Sequence, residues 1–393
     1  AKTQDPLVAA NIQITGTFQG TISNEDGDFI LLLDALPASL SITYIGYESQ
    51  KVVIENAADQ DIFIALEPII LEMDAIVVVA EDPALAIMRE VIRRKLIWRK
   101  EIQTSSANAY SRLVFENDSG IVSIAESLSE TFWDSEKGSR EVIKSKRQTS
   151  NLSEEQNMAV ASFIPNFYDD DIELIGFSVL GPTHPDALDY YDYKLIGENK
   201  RDDKTVFEIQ VIPDSKLQPT FQGRLWVLDE EFALLNVELK PSKTIHFPIP
   251  IQELNLYYKQ QFSNYDRKFW LPVDYRVNGD IKIGIMGLQF PKIKYKRITA
   301  LSNYQVNIPL PDSLYQTEKI LRVDSVSLAQ DTLFTANKVL IPLTHSEETA
   351  YESLDSTMTL EKAFKPTGFL ADVIEATAGN GEDTDENRDG ILS

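Results

Sequence analysis

There is no cysteine in the 393 residues and there are only three histidines, His184, His246 and His345. The first absence excludes disulfides, cysteine nucleophiles and thiolate metal sites. It leaves the redox compartment open, because domains of this size need no covalent staples. The second absence bears on hydrolytic zinc. A zinc peptidase needs His-x-x-Glu and a third histidine well downstream, so that three ligands leave one coordination position open. His345 and Glu348 have the first spacing, but no histidine follows them, and His184 and His246 come before. There is no His-Glu-x-x-His and no glycine-rich phosphate loop. Ser178 stands between Gly176 and Gly181 at the wrong spacing for a nucleophile elbow. His184, between Thr183 and Pro185, and His246, beside Phe247 and Pro248, read as structural residues of turns. The expectation is a non-enzyme with no catalytic, cofactor or metal site.

Long apolar runs are missing too. No stretch of ~18 apolar residues exists, so no helix is expected to span a membrane. Residues 69–80 come closest, and Glu72 and Asp74 interrupt them. Positive charge is short: 37 Lys and Arg stand against 61 Asp and Glu, a net charge of −24. So acidic a surface repels phosphate backbones, and nucleic acid is not an expected partner. No signal peptide is visible, and the chain does not begin at a lipidatable cysteine.

What is present is β pattern. Residues 11–15 alternate, with Ile12 and Ile14 on one face. Thr21 and Ile22 open a second strand, and Asn24-Glu25-Asp26-Gly27 makes a tight turn. The apolar run 29–33 predicts a strand buried on both faces; residues 41–45, 51–54 and 61–66 predict three more. Short strands at close spacing with turn residues between them point to a β-sandwich. The order of Pro6-Leu7, Ala10-Asn11-Ile12, Gly16-Thr17, Gly20-Thr21, Ser23-Asn24, Asp26-Gly27 and Phe29, then Ile45-Gly46-Tyr47-Glu48, resembles the carboxypeptidase-regulatory-like domain. The resemblance covers about residues 1–80 and implies a non-catalytic, transthyretin-like sandwich of cell-envelope proteins in Bacteroidetes-type bacteria. The family's first strand, ending in Gly-x-Val-x-Asp before the Pro-Leu pair, is missing here. The edge it would cover is therefore expected to be exposed.

Residues 76–79, Ile-Val-Val-Val, predict a buried strand, and a linking helix is expected within 81–102. Asp82 is the N-cap and Pro83 the first helical residue. Ala84, Ile87, Met88, Val91 and Ile92 form an apolar stripe. Arg89, Arg93, Arg94, Lys95, Arg99 and Lys100 lie on the other faces against Glu90 alone. This is either a helix packed on a sheet with a solvated basic side or a membrane-surface helix, and the first is the expectation. Asp169-Asp170-Asp171 is expected to be a solvated loop, since adjacent carboxylates in an extended chain point to alternate faces.

From 103 to 310 a wide antiparallel sheet is expected. Its strands fall at 109–115, 121–128, 189–196, 204–212, 223–228, 232–239, 254–262, 269–277, 292–297 and near Tyr304, with a helix at 153–160. Asn278-Gly279 predicts a hairpin turn. Phe167-Tyr168, Tyr190-Tyr191, and Phe221, Gly223, Trp226 and Phe232 carry a second resemblance. They resemble the uncharacterised domain that follows a carboxypeptidase-regulatory-like domain in envelope proteins, and a half-barrel of the LolA type. This implies the periplasmic part of an outer-membrane protein. Its partners would be other envelope proteins or a downstream β-barrel. The alternative is a carrier with a lipid or other apolar ligand against Trp226, Phe232, Tyr257, Phe269, Trp270 and Phe290. Residues 311–358 read as linker with short helical pieces, and 360–378 as a helix interrupted at 366–368. The acidic tail from Gly379 reads as disordered. Within it Asp385, Asn387 and Asp389 match the first half of a calcium loop that would be completed beyond Ser393. The fold class expected is thus mainly β: sandwich, linking amphipathic helix, then the wide sheet with few helices.

Overall fold

A computed structural model describes residues 5–56, 61–69, 82–161, 164–174, 177–201, 204–214, 218–242, 250–265, 267–324, 334 and 341–371. The strand expected at 76–79, His246, and the tail with Asp385, Asn387 and Asp389 lie outside them.

The N-terminal unit is an antiparallel sheet of β1 (Asn11–Ile14), β2 (Gly20–Ile22), β3 (Ala38–Thr43) and β4 (Gln50–Ile54), in the order β2-β1-β3-β4. Its alternation buries Ile12, Ile14, Leu40 and Ile42 together. Asn24 closes the expected turn, its Oδ1 accepting from the backbone N–H of Asp26 at 2.9 Å and of Asp28 at 2.8 Å. Two expected strands are corrected. Residues 29–33 and 61–66 run without a ladder among the described residues. Phe29, Leu31 and Leu33, and likewise Ile62, Ile64 and Leu66, face the sheet's core and form its second layer. Leu32 and Phe63 point away, and Phe63 is 90% exposed. The apolar run is therefore covered on one side only.

Helix α1 (Pro83–Trp98) starts as the sequence requires. Asp82 is extended, and its carboxylate accepts from Ala84 N–H at 3.0 Å. The whole predicted stripe is buried. The same carboxylate oxygen accepts from Leu195 N–H at 3.1 Å, tying the helix start to the sheet edge. Asp82→Ala should therefore lower stability by about 1–2 kcal/mol in urea titration, with Asp82→Asn retaining most of it.

The main sheet is built from β5 (Thr104–Asn117), β6 (Gly120–Asp134), β7 (Gly138–Gln148), β10 (Tyr191–Arg201), β11 (Lys204–Pro213), β12 (Phe221–Leu228), β13 (Ala233–Pro241), β14 (Ile251–Tyr265), β15 (Phe269–Pro272), β16 (Asp274–Ile285), β17 (Leu288–Gln289), β18 (Ile293–Val306) and β19 (Leu321–Val323). The strand order is β10-β11-β12-β13-β14-β16-β18-β5-β6-β7-β19, with β15 on β14 and β17 on β16. All pairs are antiparallel except β19 on β7, and the sheet does not close into a barrel. A separate hairpin, β8 (Asp171–Leu174) with β9 (Phe177–Leu180), covers part of it.

Three further expectations change. Asn278-Gly279 is no turn: β16 runs straight through, Asn278 opposite Tyr257 and Lys296, and Gly279 opposite Leu256 and Tyr295. The glycine is there for space, since a Cβ would lie 2.8 Å from Leu256 Cδ2 and 2.9 Å from Tyr295 Cδ1. The helix expected at 153–160 is a single 3-10 turn, Glu154–Gln156. Beyond it Asn157 stitches the chain to β6 and β7, its Nδ2 donating to the carbonyls of Glu126 at 3.1 Å and Arg147 at 3.2 Å. Residues 311–358 are more than linker. They supply β19 and α2 (His345–Ser353), whose N-terminus Thr344 and Glu347 close as a capping box. After α3 (Leu360–Ala363) the chain bridges Gln289 through Thr367.

The sheet's inner face is the main core. Tyr193, Ile209, Leu225, Val237, Leu256, Tyr258 and Val277 come from successive strands, and α1 and residues 164–174 and 177–190 lie on them. The outer face holds Tyr110, Arg112, Val114, Glu126 and Ala300. It is covered by Ala9 and Ile22 of the N-terminal unit, by Phe334 and Ile341, and by α2.

Candidate functional site

The acidic run is a partly exposed turn, as expected, but two of its carboxylates are paired with the helix. Lys95 of α1 is buried and pairs with Asp170, also donating to Thr183 O at 2.8 Å. Arg99 pairs with Asp169, and Trp98 packs edge-on to Tyr168 at 5.1 Å. Arg93 and Arg94 share Glu90, whose carboxyl their hydrogen bonds hold down at about 2. The basic side of the helix is thus largely spent on carboxylates of the same chain, and α1 packs on the sheet.

The densest charge cluster lies on the outer face. Opposed positions of β5, β6 and β7 place Arg112, Glu126 and Arg147 in one row. Glu126 is fully buried and accepts from Tyr110 Oη, from Arg147 Nη2 at 2.6 Å and from Tyr351 Oη at 2.6 Å. Arg112 closes on it at 3.4 Å and donates onward to Glu347 at 2.7 Å, Ile341 O at 2.7 Å and Pro342 O at 3.2 Å. Burial pushes Glu126 up, but Arg112 and Arg147 outweigh it and hold its carboxyl below the usual range. Burial, aided by Glu126, pushes Tyr110 and Tyr351 well above the usual phenol range. These shifts keep Glu126 charged and the two phenols neutral near neutral pH, and the cluster clamps residues 341–354 to the sheet.

The two sheets meet at fixed points. Phe18 O accepts from Asn303 N–H at 2.9 Å, Ala9 O accepts from Gln261 Nε2 at 2.9 Å, and Phe18 packs tilted against Tyr265 with ring centroids 4.8 Å apart. Beside these contacts runs an open cleft of about 1180 Å³. One wall carries Thr15, Thr17 and Asp34; the other carries Asn108, Phe132 and Gln305. A smaller recess of about 410 Å³ adjoins it at Gln19, Leu32, Glu130 and Lys144. The chemistry is amide, hydroxyl and aromatic, with the carboxylates of Asp34 and Glu130 and the ammonium of Lys144 at the recess.

The aromatic set expected to line an apolar cavity does not converge. Trp226 pairs across the ladder with Asn236 and Glu208, on the outer face, and Tyr257 is half exposed there. Phe269 and Trp270 are buried on the short β15, and Phe232 sits under Arg94 at 4.9 Å. His184 accepts from Asp186 N–H within a turn, and His345 starts α2 with its backbone N–H donated to Asp26. Among the described residues no three His, Asp or Glu could hold a metal ion, and no helix is long and apolar enough to cross a membrane. The clamp and the cleft were both missed from sequence. Arg112 and Glu126 lie at opposed positions of one hairpin about the loop 118–119, a signal that period counting alone does not weigh.

Residues 1–78 match the CarboxypepD_reg-like domain, and residues 113–304 match a family of unknown function, DUF5686. The chain is also similar, distantly, to three solved structures. A DUF1329 family protein from Desulfovibrio piger is 14% identical, with 61% of this chain and 100% of that one covered and a TM-score of 0.29. A LolA superfamily protein from Nitrosomonas europaea is 11% identical, with 60% and 98% covered and a TM-score of 0.28. The MucA/MucB complex of Pseudomonas aeruginosa gives 9% identity, 58% and 100% covered, and a TM-score of 0.16. No curated protein matches.

Proposed function

We propose that this chain, a CarboxypepD_reg-like domain followed by a DUF5686 region, is a non-catalytic binding module on the periplasmic side of the outer membrane. In this reading it docks a segment of another envelope protein in the cleft between its two sheets. The cleft carries the proposal. Its volume of about 1180 Å³ exceeds the range of about 300–1,000 Å³ usual for small-molecule pockets, which suits a stretch of polypeptide. Its walls are joined by backbone and side-chain contacts, so it is formed before a partner arrives. The inner apolar face, where a carrier would hold its ligand, is taken up by α1 and residues 164–174 and 177–190.

The test uses two exposed lining residues. Asn108→Trp with Gln305→Arg should fill the cleft from one wall and leave the melting temperature unchanged. Binding of the partner recovered from envelope extracts should weaken tenfold or more. Undiminished binding by the double variant would place the partner elsewhere. A stoichiometric lipid in organic extracts of the purified chain would favour the carrier instead.

A further inference from the structure

The far end of the β16–β18 hairpin does not serve the cleft and is built unlike the rest of the surface. The last ladder pair of β16 with β14 is Ile283 with Ile251, and β18 meets β5 from Lys294 onward. Gly284 N–H still donates to Pro250 O at 2.8 Å, and residues 285–289 project past both neighbouring strands. Their tip is apolar and bare: Met286 is 92% exposed and Ile285 is exposed beside it. Residues 367–370 are strapped to the same tip. Thr367 and Gln289 exchange backbone hydrogen bonds at 2.8 and 2.7 Å, and Leu370 N–H reaches Gly287 O at 3.2 Å. This adds Leu370 and Phe369, the latter 76% exposed. Four large apolar side chains thus stand at one point, held by backbone bonds.

The charge around the tip also departs from the chain's. Against a net charge of −24, the arms of the hairpin carry Lys282, Lys292 and Lys294; Lys282 pairs with Glu253 of β14 at 3.2 Å and Lys292 with Asp280 at 3.1 Å, so the local balance is close to neutral. Approach to an anionic surface is not repelled here, and lysine stems can lie along apolar surface while their ammonium groups stay in water. Four side chains on a loop end offer too little area for a stable dimer, which needs about 1,200 Å² in total. They are enough for shallow insertion among lipid headgroups, which scales with buried apolar area and anionic attraction.

We infer that residues 285–289 and 367–370 form a membrane-docking tip that inserts Ile285, Met286, Phe369 and Leu370 into the interface of a lipid bilayer. The test is flotation of the full chain with phosphatidylcholine vesicles, with and without phosphatidylglycerol. The chain should float with the vesicles, more strongly when phosphatidylglycerol is present. Met286→Ser with Phe369→Ser should lower the partition coefficient about tenfold or more, at an unchanged melting temperature because both side chains are exposed. Asn108→Trp, in the cleft, should leave flotation as it was, so that this inference and the cleft reading fail separately. A wild-type chain that stays at the bottom of the gradient, or a double variant that floats equally well, would overturn the tip. So would a dimer in solution that the double variant abolishes, since the tip would then be a contact between copies. Equal flotation with and without phosphatidylglycerol would overturn the part given to the lysines.

Discussion

Replacing Arg112 by alanine should cost about 3–5 kcal/mol of stability and release residues 341–354 from the sheet. The guanidinium is 3% exposed and faces two ways. Toward the sheet it meets Glu126. Toward the covering segment it holds Glu347 and the carbonyls of Ile341 and Pro342. Alanine removes all of these at once. Glu126 keeps Arg147 but loses half of its positive surroundings in a buried site, and Glu347 keeps only its capping bond from Thr344 N–H. Truncating one side of a buried pair leaves the other side desolvated and unpaid, which is why the cost exceeds that of a surface ion pair. Lysine should recover little, because one ammonium cannot span acceptors that a planar fork reaches in two directions. Urea titration gives the stability change, and amide exchange over 341–354 reports the release. A loss below about 1 kcal/mol, with 341–354 still protected, would show that the clamp is not what holds the segment.

The same clamp sets an acid limit. The carboxyl of Glu126 titrates below its ordinary value in the folded chain because Arg112 and Arg147 outweigh its burial. A depressed folded value means that the stabilisation is complete above the ordinary glutamate range and is lost as pH falls through the folded value. Stability and protection of 341–354 should therefore decline together on acidification below the ordinary range, and neither should change between neutral pH and that range on this group's account.

How far the sequence could be read follows from which residues carry each feature. Asp82, Pro83 and the stripe from Ala84 to Ile92 specify α1 locally, and each sits where the pattern places it. Alternation finds the strands of the inner face because one side of each is apolar. It fails where the buried side is polar. β7 buries Glu141 and Ser145 beside Ile143, and its 140–148 stretch is polar in sequence. It also fails at Asn278-Gly279, where turn chemistry sits in a central strand and the flanking ladder with β14 and β18 overrides it. The run 29–33 is apolar throughout, yet it is covered on one side because no layer stacks on the other. The covering segment 341–354 is held by pairings across more than 200 residues, such as Tyr351 with Glu126, and no local window contains both partners.

Gly223→Ala should be the most damaging glycine-to-alanine change among the described residues, costing more than about 4 kcal/mol or preventing folding outright. Gly223 belongs to the Phe221, Gly223, Trp226 pattern, and its place in β12 shows why glycine is needed. Its φ is +150°, a backbone that side chains rarely adopt, and a Cβ would lie 2.1 Å from Glu238 O and 3.0 Å from Leu239 Cα. Both are backbone atoms of β13, directly across the ladder where Gly223 pairs with Leu239. They cannot swing aside; the two strands must part, and the ladder between β12 and β13 carries Leu225 and Val237 of the main core. Gly279→Ala is the control. There the crowding atoms are side-chain carbons of Leu256 and Tyr295, which can adjust where backbone cannot, so the cost should stay near 1–3 kcal/mol. Soluble yield and urea midpoints for the two variants side by side measure the contrast. Similar small losses for both would mean that β12 and β13 have room that the ladder does not show. A large loss at Gly223 alone would explain the glycine in that aromatic pattern by strand-to-strand approach, with no ligand needed.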